Sequence, residues 1–207
     1  MQVRLISHSR APIGPAPEKN VQDLIAYAAR VSNPSNQNNK ETADKLLNYL
    51  IKHKHWSPFE MASACLEIET TRDIARQILR HRSFSFQEFS QRYADPTEDL
   101  EFVTREARLQ DEKNRQNSIE TEDASLQANW ELRQSQVMQE SLEAYKWAIS
   151  KGIAKEQARA VLPEGLTMSR MYMNGTIRSW IHYIELRSAN GTQKEHMEVA
   201  QACAVEI

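Results

Sequence analysis

From Glu106 to Ser150 the chain runs without a glycine or a proline, and most of its residues are polar or charged. Glycine and proline are the residues that most readily end a helix, so such a stretch has few places to turn. It predicts one or two long helices. Leu109, Ile119, Leu126, Trp130, Val137, Leu142, Tyr145 and Ile149 are expected to face inward, with the charges as a solvated face. The whole sequence of 207 residues holds only five glycines, with no GxGxxG and no glycine loop ending in Gly-Lys-Ser/Thr. Any phosphate must therefore be held by side chains, above all by arginine.

Shorter elements surround this stretch. Alternation predicts strands over Gln2 to Ser7, Ala62 to Thr70, Glu101 to Thr104 and Thr167 to Met173. Helical spacing predicts Val21 to Val31 behind an Asn20 cap, Glu41 to Lys52, Arg72 to Leu79, Ile153 to Leu162 and Gln193 to Ile207. Ile177 to Arg187 is a further helix, with Trp180, Ile181, Ile184 and Leu186 inward. The Pro-rich run Ala11 to Pro17 reads as a turn, and Ser32 to Asn39 as a polar loop. Helices dominate and strands are dispersed, so the fold class is α+β. The expectation is one domain over residues 1–207, with a small mixed or antiparallel sheet flanked by long helices.

A net charge of −2 and a pI of about 6.3 argue against a nucleic-acid coat or a polybasic membrane anchor. No apolar run is long enough for a membrane span, and Met1 to Arg10 lacks a signal-peptide core. Cys65 and Cys203 have no CxxC partners and read as buried thiols in a reducing cytoplasm. His53 and His55 have no acidic or sulfur ligand at a helpful spacing, so no metal is expected.

The chemistry concentrates in Arg80-His81-Arg82-Ser83-Phe84-Ser85-Phe86-Gln87-Glu88-Phe89-Ser90-Gln91-Arg92-Tyr93. Guanidinium groups grip phosphates, flat rings accept stacked heterocycles, and Ser, Gln and Glu read a base or a ribose. Upstream, Arg72, Arg76 and Arg80 repeat every four residues. Three stacked cations require a bound phosphate or a facing acidic chain. The same mixture would also suit single-stranded nucleic acid, but the acidic region from Glu98 to Glu143 opposes that. Ser90 has no base adjacent in sequence, so it reads as a hydrogen bonder and not a nucleophile.

Arg-His-Arg, seven residues, then Ser resembles the signature of the flavin-dependent thymidylate synthases. Ala29-Arg30-Val31-Ser32, His55-Trp56-Ser57-Pro58-Phe59-Glu60, Ala158 to Pro163 and Glu185-Leu186-Arg187 resemble further blocks of that family, in order. The resemblance implies a homotetramer with sites shared between subunits, working on dUMP with FAD, NADPH and methylenetetrahydrofolate. It assigns Ser57, Arg80, His81, Arg82, Glu88, Thr176, Arg178 and His182 to FAD. It assigns Gln77, Arg80, Glu88, Phe89, Ser90, Gln91, Arg92, Arg159 and Arg187 to dUMP, with Arg187 activating the uracil N3/O2 edge. Two positions depart from the family pattern. Thr176 stands where Asn is common, and Gly191 where some members carry His.

Overall fold

The computed structural model describes residues 1–11 and 20–207, so the predicted turn over Ala11 to Pro17 lies almost wholly outside the described residues. In chain order the first elements are β1 (Gln2–His8), α1 (Val21–Ala29), α2 (Ala43–Lys52), β2 (Ser63–Thr71) and α3 (Arg72–Ile78). Next come β3 (Ser85–Glu88), α4 (Pro96–Asp99), β4 (Arg108–Gln110), β5 (Ser118–Glu120) and α5 (Ala124–Ser150). The chain closes with α6 (Lys155–Ala158), β6 (Met168–Thr176), α7 (Ile177–Arg187) and α8 (Lys194–Glu206). Four strands form one antiparallel sheet in the order β1-β2-β6-β3. The α+β expectation holds, and every pairing in this sheet is antiparallel.

Period-two alternation decides which face is buried. Leu66 of β2 pairs with Met173 of β6, which in turn pairs with Phe86 of β3; Ile68 pairs with Met171. This row packs into one core with Ile25, Leu50, Ile74, Trp180 and Val199 from the helices. On the opposite row Glu67 accepts hydrogen bonds from Arg4 Nε at 2.9 Å and from Tyr172 Oη at 2.8 Å. Those partners hold its carboxyl below the usual range, Arg4 most strongly. Arg170 and Glu69 extend the same polar row at 2.7 Å.

Residues 106–123 depart from the expected helix: Arg108–Gln110 and Ser118–Glu120 form a hairpin. Its turn is built without glycine or proline. The Asp111 carboxylate accepts from the backbone N–H groups of Lys113 and Asn114 at 2.8 and 3.1 Å, and Asn114 Oδ1 accepts from Gln116 N at 3.0 Å. Such Asx bonds turn a chain that has no breaker. The helix then begins at a true cap, with Asp123 accepting from Leu126 N at 3.0 Å. Two glutamines of α5 clasp the preceding chain. Gln134 bonds both N–H and C=O of Arg105 at 2.8 Å, and Gln127 does the same for Ala107 at 2.7 and 2.9 Å. Each amide acts as a small strand partner.

Several predicted inward residues prove exposed. Leu126, Trp130 and Val137 face outward, because the apolar packing of α5 lies at its C-terminal end, where Tyr145 and Ala148 meet α6; Leu109 and Ile119 of the hairpin and Leu186 of α7 are exposed as well. Glu101 to Thr104 makes a single bridge, Phe102 to Thr167, and no strand. Cys203 is buried, and burial pushes its thiol up to about 12. Cys65 is only half-buried, because it points from β2 away from the core row.

Two packing details place the site. Phe84 lies against Gly175 of β6. A Cβ built at Gly175 would stand 3.2 Å from Phe84 Cγ and closer still to two ring atoms. The ring is hemmed in by Trp180, with centroids 4.8 Å apart, and by Tyr183 at 5.9 Å. Behind them His196 is fully buried. Its Nε2 accepts from Tyr183 Oη at 3.2 Å and its Nδ1–H donates to Gln77 Oε1 at 3.3 Å.

Gly175→Ala should destabilise the fold by about 1–3 kcal/mol through overpacking, as read by urea unfolding, and shortening the ring with Phe84→Leu should restore part of the loss. His196 carries a pH signature. Burial, with the Arg187 charge behind it, lowers its pKa to about 3 from 6.5. The unfolded chain therefore binds the proton that the folded chain refuses, and stability falls as pH drops below about 6.5, by up to about 1.4 kcal/mol per pH unit for this group. His196→Gln should flatten that slope between about pH 6.5 and 5.5, above the range where most carboxylates titrate. An unchanged slope would contradict the assignment.

Candidate active site

Helix α3 ends beside the turn Arg80-His81-Arg82, which Phe84 pins to β6 and α7. Ser179 Oγ donates to the Ser83 carbonyl at 3.3 Å, a second tie between this turn and α7. Arg80 and Arg82 are exposed, and neither has an acidic partner among the described residues. His81 is half-buried, edge-on to Tyr183 at 4.9 Å. Arg187, the last residue of α7, donates its Nε–H to His81 Nε2 at 2.9 Å. Desolvation first, then the charges of Arg187 and Arg80, lower the His81 pKa from 6.5, so the ring is neutral at working pH.

Gln77 stands in the same neighbourhood, one turn back on α3. Its amide is oriented by a one-way chain of donors: Tyr183 to His196, His196 to Gln77, Gln77 Nε2 to Gln193 Oε1 at 2.8 Å, and Gln193 Nε2 to Glu195 Oε2 at 2.9 Å. Arg108 of the hairpin closes the chain on Glu195 at 2.5 Å. A cleft of about 630 Å³ opens beside Gln193, between the hairpin and the turn from α7 to α8. Gly191 lines it with φ +90°, a backbone angle that side-chain-bearing residues rarely adopt. The turn geometry accounts for glycine at that departure from the family pattern.

A second group lies along β3 and beyond. Glu88 accepts from Ser169 Oγ at 2.9 Å and faces the buried Arg72 at 3.7 Å. Arg76 pairs with Glu164 at 3.4 Å. Of the three arginines expected to stack, Arg72 and Arg76 lie on α3 and meet acidic partners, while Arg80 lies past the helix end and is left for a ligand. Phe89 is anchored by its N–H to the Arg170 carbonyl at 2.8 Å. The Ser90 hydroxyl accepts from Arg92 N at 3.4 Å, and among the described residues no base is bonded to it. Arg92 is exposed and pairs with Glu156 at 3.3 Å. Arg159 is half-buried and close enough for its charge to act on Arg72. Gln91 is only 3% exposed, with its Nε2 lacking a partner among the described residues.

The third group surrounds the 3₁₀ turn Ser57–Met61. Ser57 is exposed at its start, Glu60 pairs with Arg178 of α7, and Trp56 meets His182 edge-on at 4.6 Å. Thr176 caps α7, its hydroxyl accepting from Ser179 N at 3.2 Å. A threonine performs the capping that asparagine would also perform.

The predicted residues therefore fall into three groups: Gln77, Arg80, His81, Arg82 and Arg187; Glu88 to Arg92 with Arg159; and Ser57, Thr176, Arg178 and His182. No hydrogen bond or ion pair joins Arg187 to Phe89–Arg92 among the described residues. The sequence expectation of an acidic partner for the α3 arginines is met at Arg72 by Glu88, but sequence reasoning missed Ser169, which also holds Glu88, and Tyr183, Gln193 and His196, which orient Gln77. One signal was available: His196 shares a helical stripe with Val199, Ala200 and Cys203, so a polar residue interrupts an apolar face.

These features coincide with known proteins. The profile of the thymidylate synthase complementing protein family matches residues 16–207. A probable flavin-dependent thymidylate synthase of Paramecium bursaria Chlorella virus 1 is 57% identical over 182 residues, covering 88% of this chain and 83% of the relative. The flavin-dependent thymidylate synthase of a Synechocystis strain is 50% identical over 203 residues, covering 98% and 92%. In structure, a UMP/dUMP methylase, PolB from Streptomyces cacaoi bound with 5-Br dUMP, superposes with a TM-score of 0.78 at 25% identity, covering 99% of this chain and 88% of that one. With the family profile spanning all but the first residues and half the positions shared with a relative of nearly full length, the chain belongs to the thymidylate synthase complementing protein family.

Proposed function

We propose that this protein methylates dUMP reductively to dTMP in a site that binds FAD. When bound, FAD recharged by NADPH supplies the hydride, and methylenetetrahydrofolate supplies the carbon. The observation that carries this reading is the pairing of charges. Glu88, Glu164, Glu156 and Glu60 each neutralise an arginine, whereas Arg80, Arg82 and Arg187 stand without an acidic partner among the described residues. Cations left in this state on one turn and the adjoining helix end suit an anionic ligand. Two guanidinium groups from the Arg80–Arg82 turn fit the diphosphate of FAD, with Ser57 from the adjacent 3₁₀ turn, Arg178 and His182 from α7, and Thr176 shaping that helix start.

Arg187 has the second role. Uracil reacts at carbon only as negative charge builds at N3 and O2, and a guanidinium held against that edge stabilises the charge. Its charge persists at any working pH. Gln77, in the same group, has an amide fixed in one orientation for reading the base. Arg92 and Arg159 suit the phosphate, with Glu156 giving up Arg92 when the substrate enters. Glu88, held by Ser169 and Arg72, together with Phe89, Ser90 and Gln91, completes the nucleotide set.

The separation of these groups along one chain supports a shared site in a homotetramer. Leu126, Trp130 and Val137 lie on one face of α5 and are exposed, Trp130 by 45%, which supports burial against another copy. Two outcomes are expected. Arg187→Ala should lower dTMP formation from dUMP by about 10²–10³-fold, with Arg187→Lys intermediate; wild-type levels in Arg187→Ala would remove the arginine from the chemistry. Trp130→Asp should shift the sedimentation of the protein from tetramer to smaller species and release FAD with it. A monomeric wild type that makes dTMP would contradict the shared site.

A further inference from the structure

We propose that His81 is a positioning residue for Arg187: its neutral imidazole accepts the guanidinium Nε–H and leaves both terminal nitrogens of Arg187 for the pyrimidine edge. The resemblance to the family points His81 toward FAD; the geometry gives its Nε2 to Arg187 instead. The 2.9 Å contact runs from Nε–H to Nε2, so the imidazole proton must sit on Nδ1. That nitrogen is then the ring's remaining donor for a cofactor.

An arginine at a helix end has four rotatable side-chain bonds, and nothing acidic holds this one among the described residues. An acidic partner would fix it, but would also cancel the charge that uracil requires. A neutral acceptor fixes the group and leaves the charge whole. The groups that face His81 favour the neutral ring from every side. Arg80 lies on its own turn, Arg187 and Tyr183 lie on α7, and His196 lies on α8 with ring centroids 6.3 Å away. None of them is anionic at working pH, for burial raises the Tyr183 hydroxyl far above its usual range. Protonation of His81 would remove the acceptor and set a cation against Arg187. The clamp therefore holds above the His81 pKa and opens below it.

The dUMP part of this inference rests on the proposed function; the clamp itself does not, and the two are tested separately. NMR of the protein labelled in its histidine rings reports tautomer and titration directly. His81 should show the Nδ1–H tautomer and titrate below 6.5, and in Arg187→Ala its pKa should rise as a neighbouring cation is lost. An Nε2–H tautomer, or a titration indifferent to Arg187→Ala, would overturn the proposal.

In turnover, His81→Gln keeps a neutral acceptor and should retain kcat to within a few-fold, whereas His81→Ala should lower kcat by about tenfold or more with FAD occupancy, read by absorbance, held saturating. The wild type should lose activity on acidification more steeply than His81→Gln. Titration of the substrate phosphate is common to both and cancels in the comparison. Equal losses in His81→Gln and His81→Ala, or parallel pH profiles, would reduce His81 to a packing or cofactor contact. A wild type that binds neither FAD nor dUMP would sink the proposed function, while the NMR result would still decide the clamp.

Discussion

The contact of the Phe84 ring with the bare backbone of Gly175 holds the site together. One side of the contact belongs to the turn that carries Arg80, His81 and Arg82. The other belongs to β6, whose chain passes directly into α7 and ends eleven residues later at Arg187. Only glycine admits the ring at this separation, and Trp180 and Tyr183 close its remaining sides. The distance between the Arg-His-Arg turn and Arg187 is thereby set by apolar packing. This arrangement lets unpaired cations gather on the surface without relying on one another for support.

Charge bookkeeping completes the picture. In Arg72, Arg76, Arg92 and Arg178 the chain pairs each guanidinium with a glutamate from a different element. Buried or half-buried polar groups behind the site are arranged in a donor chain from Tyr183 to Glu195, so Gln77 and Gln193 each have one amide orientation. Satisfied networks of this kind rigidify what they touch. Among the cations left without an acidic partner in the described residues are Arg80, Arg82 and Arg187, at positions where the sequence resembles a nucleotide and flavin site.

Much of this was legible in the sequence where periodicity and burial agree. Ala64, Leu66 and Ile68 alternate with Cys65, Glu67 and Glu69, and β2 follows that alternation. Helices α3 and α7 lie where their spacing puts them, with Asn20 capping α1 as expected. The hairpin before α5 was not legible, because its turn uses Asp111 and Asn114 side chains in place of glycine or proline. The outward apolar residues of α5 misled for a related reason: amphipathic spacing marks a face that seeks a partner and does not say whether that partner is the same chain. Ser169 and His196, which help hold the site, are far from the Arg-His-Arg motif in sequence, and tertiary packing alone brings them in. The proposed ligand-facing groups came from the ordered motif blocks. Their division into three separate groups came from the structure.

The central claim is that the Arg80–Arg82 turn and its neighbours on α7 hold a flavin. The visible absorbance of the purified protein, with FAD added if it arrives colourless, tests this most directly. The account predicts flavin bands that remain with the protein after desalting, bleach anaerobically with NADPH, and bleach at a different rate when dUMP is present. A properly folded protein that stays colourless after exposure to excess FAD would contradict it.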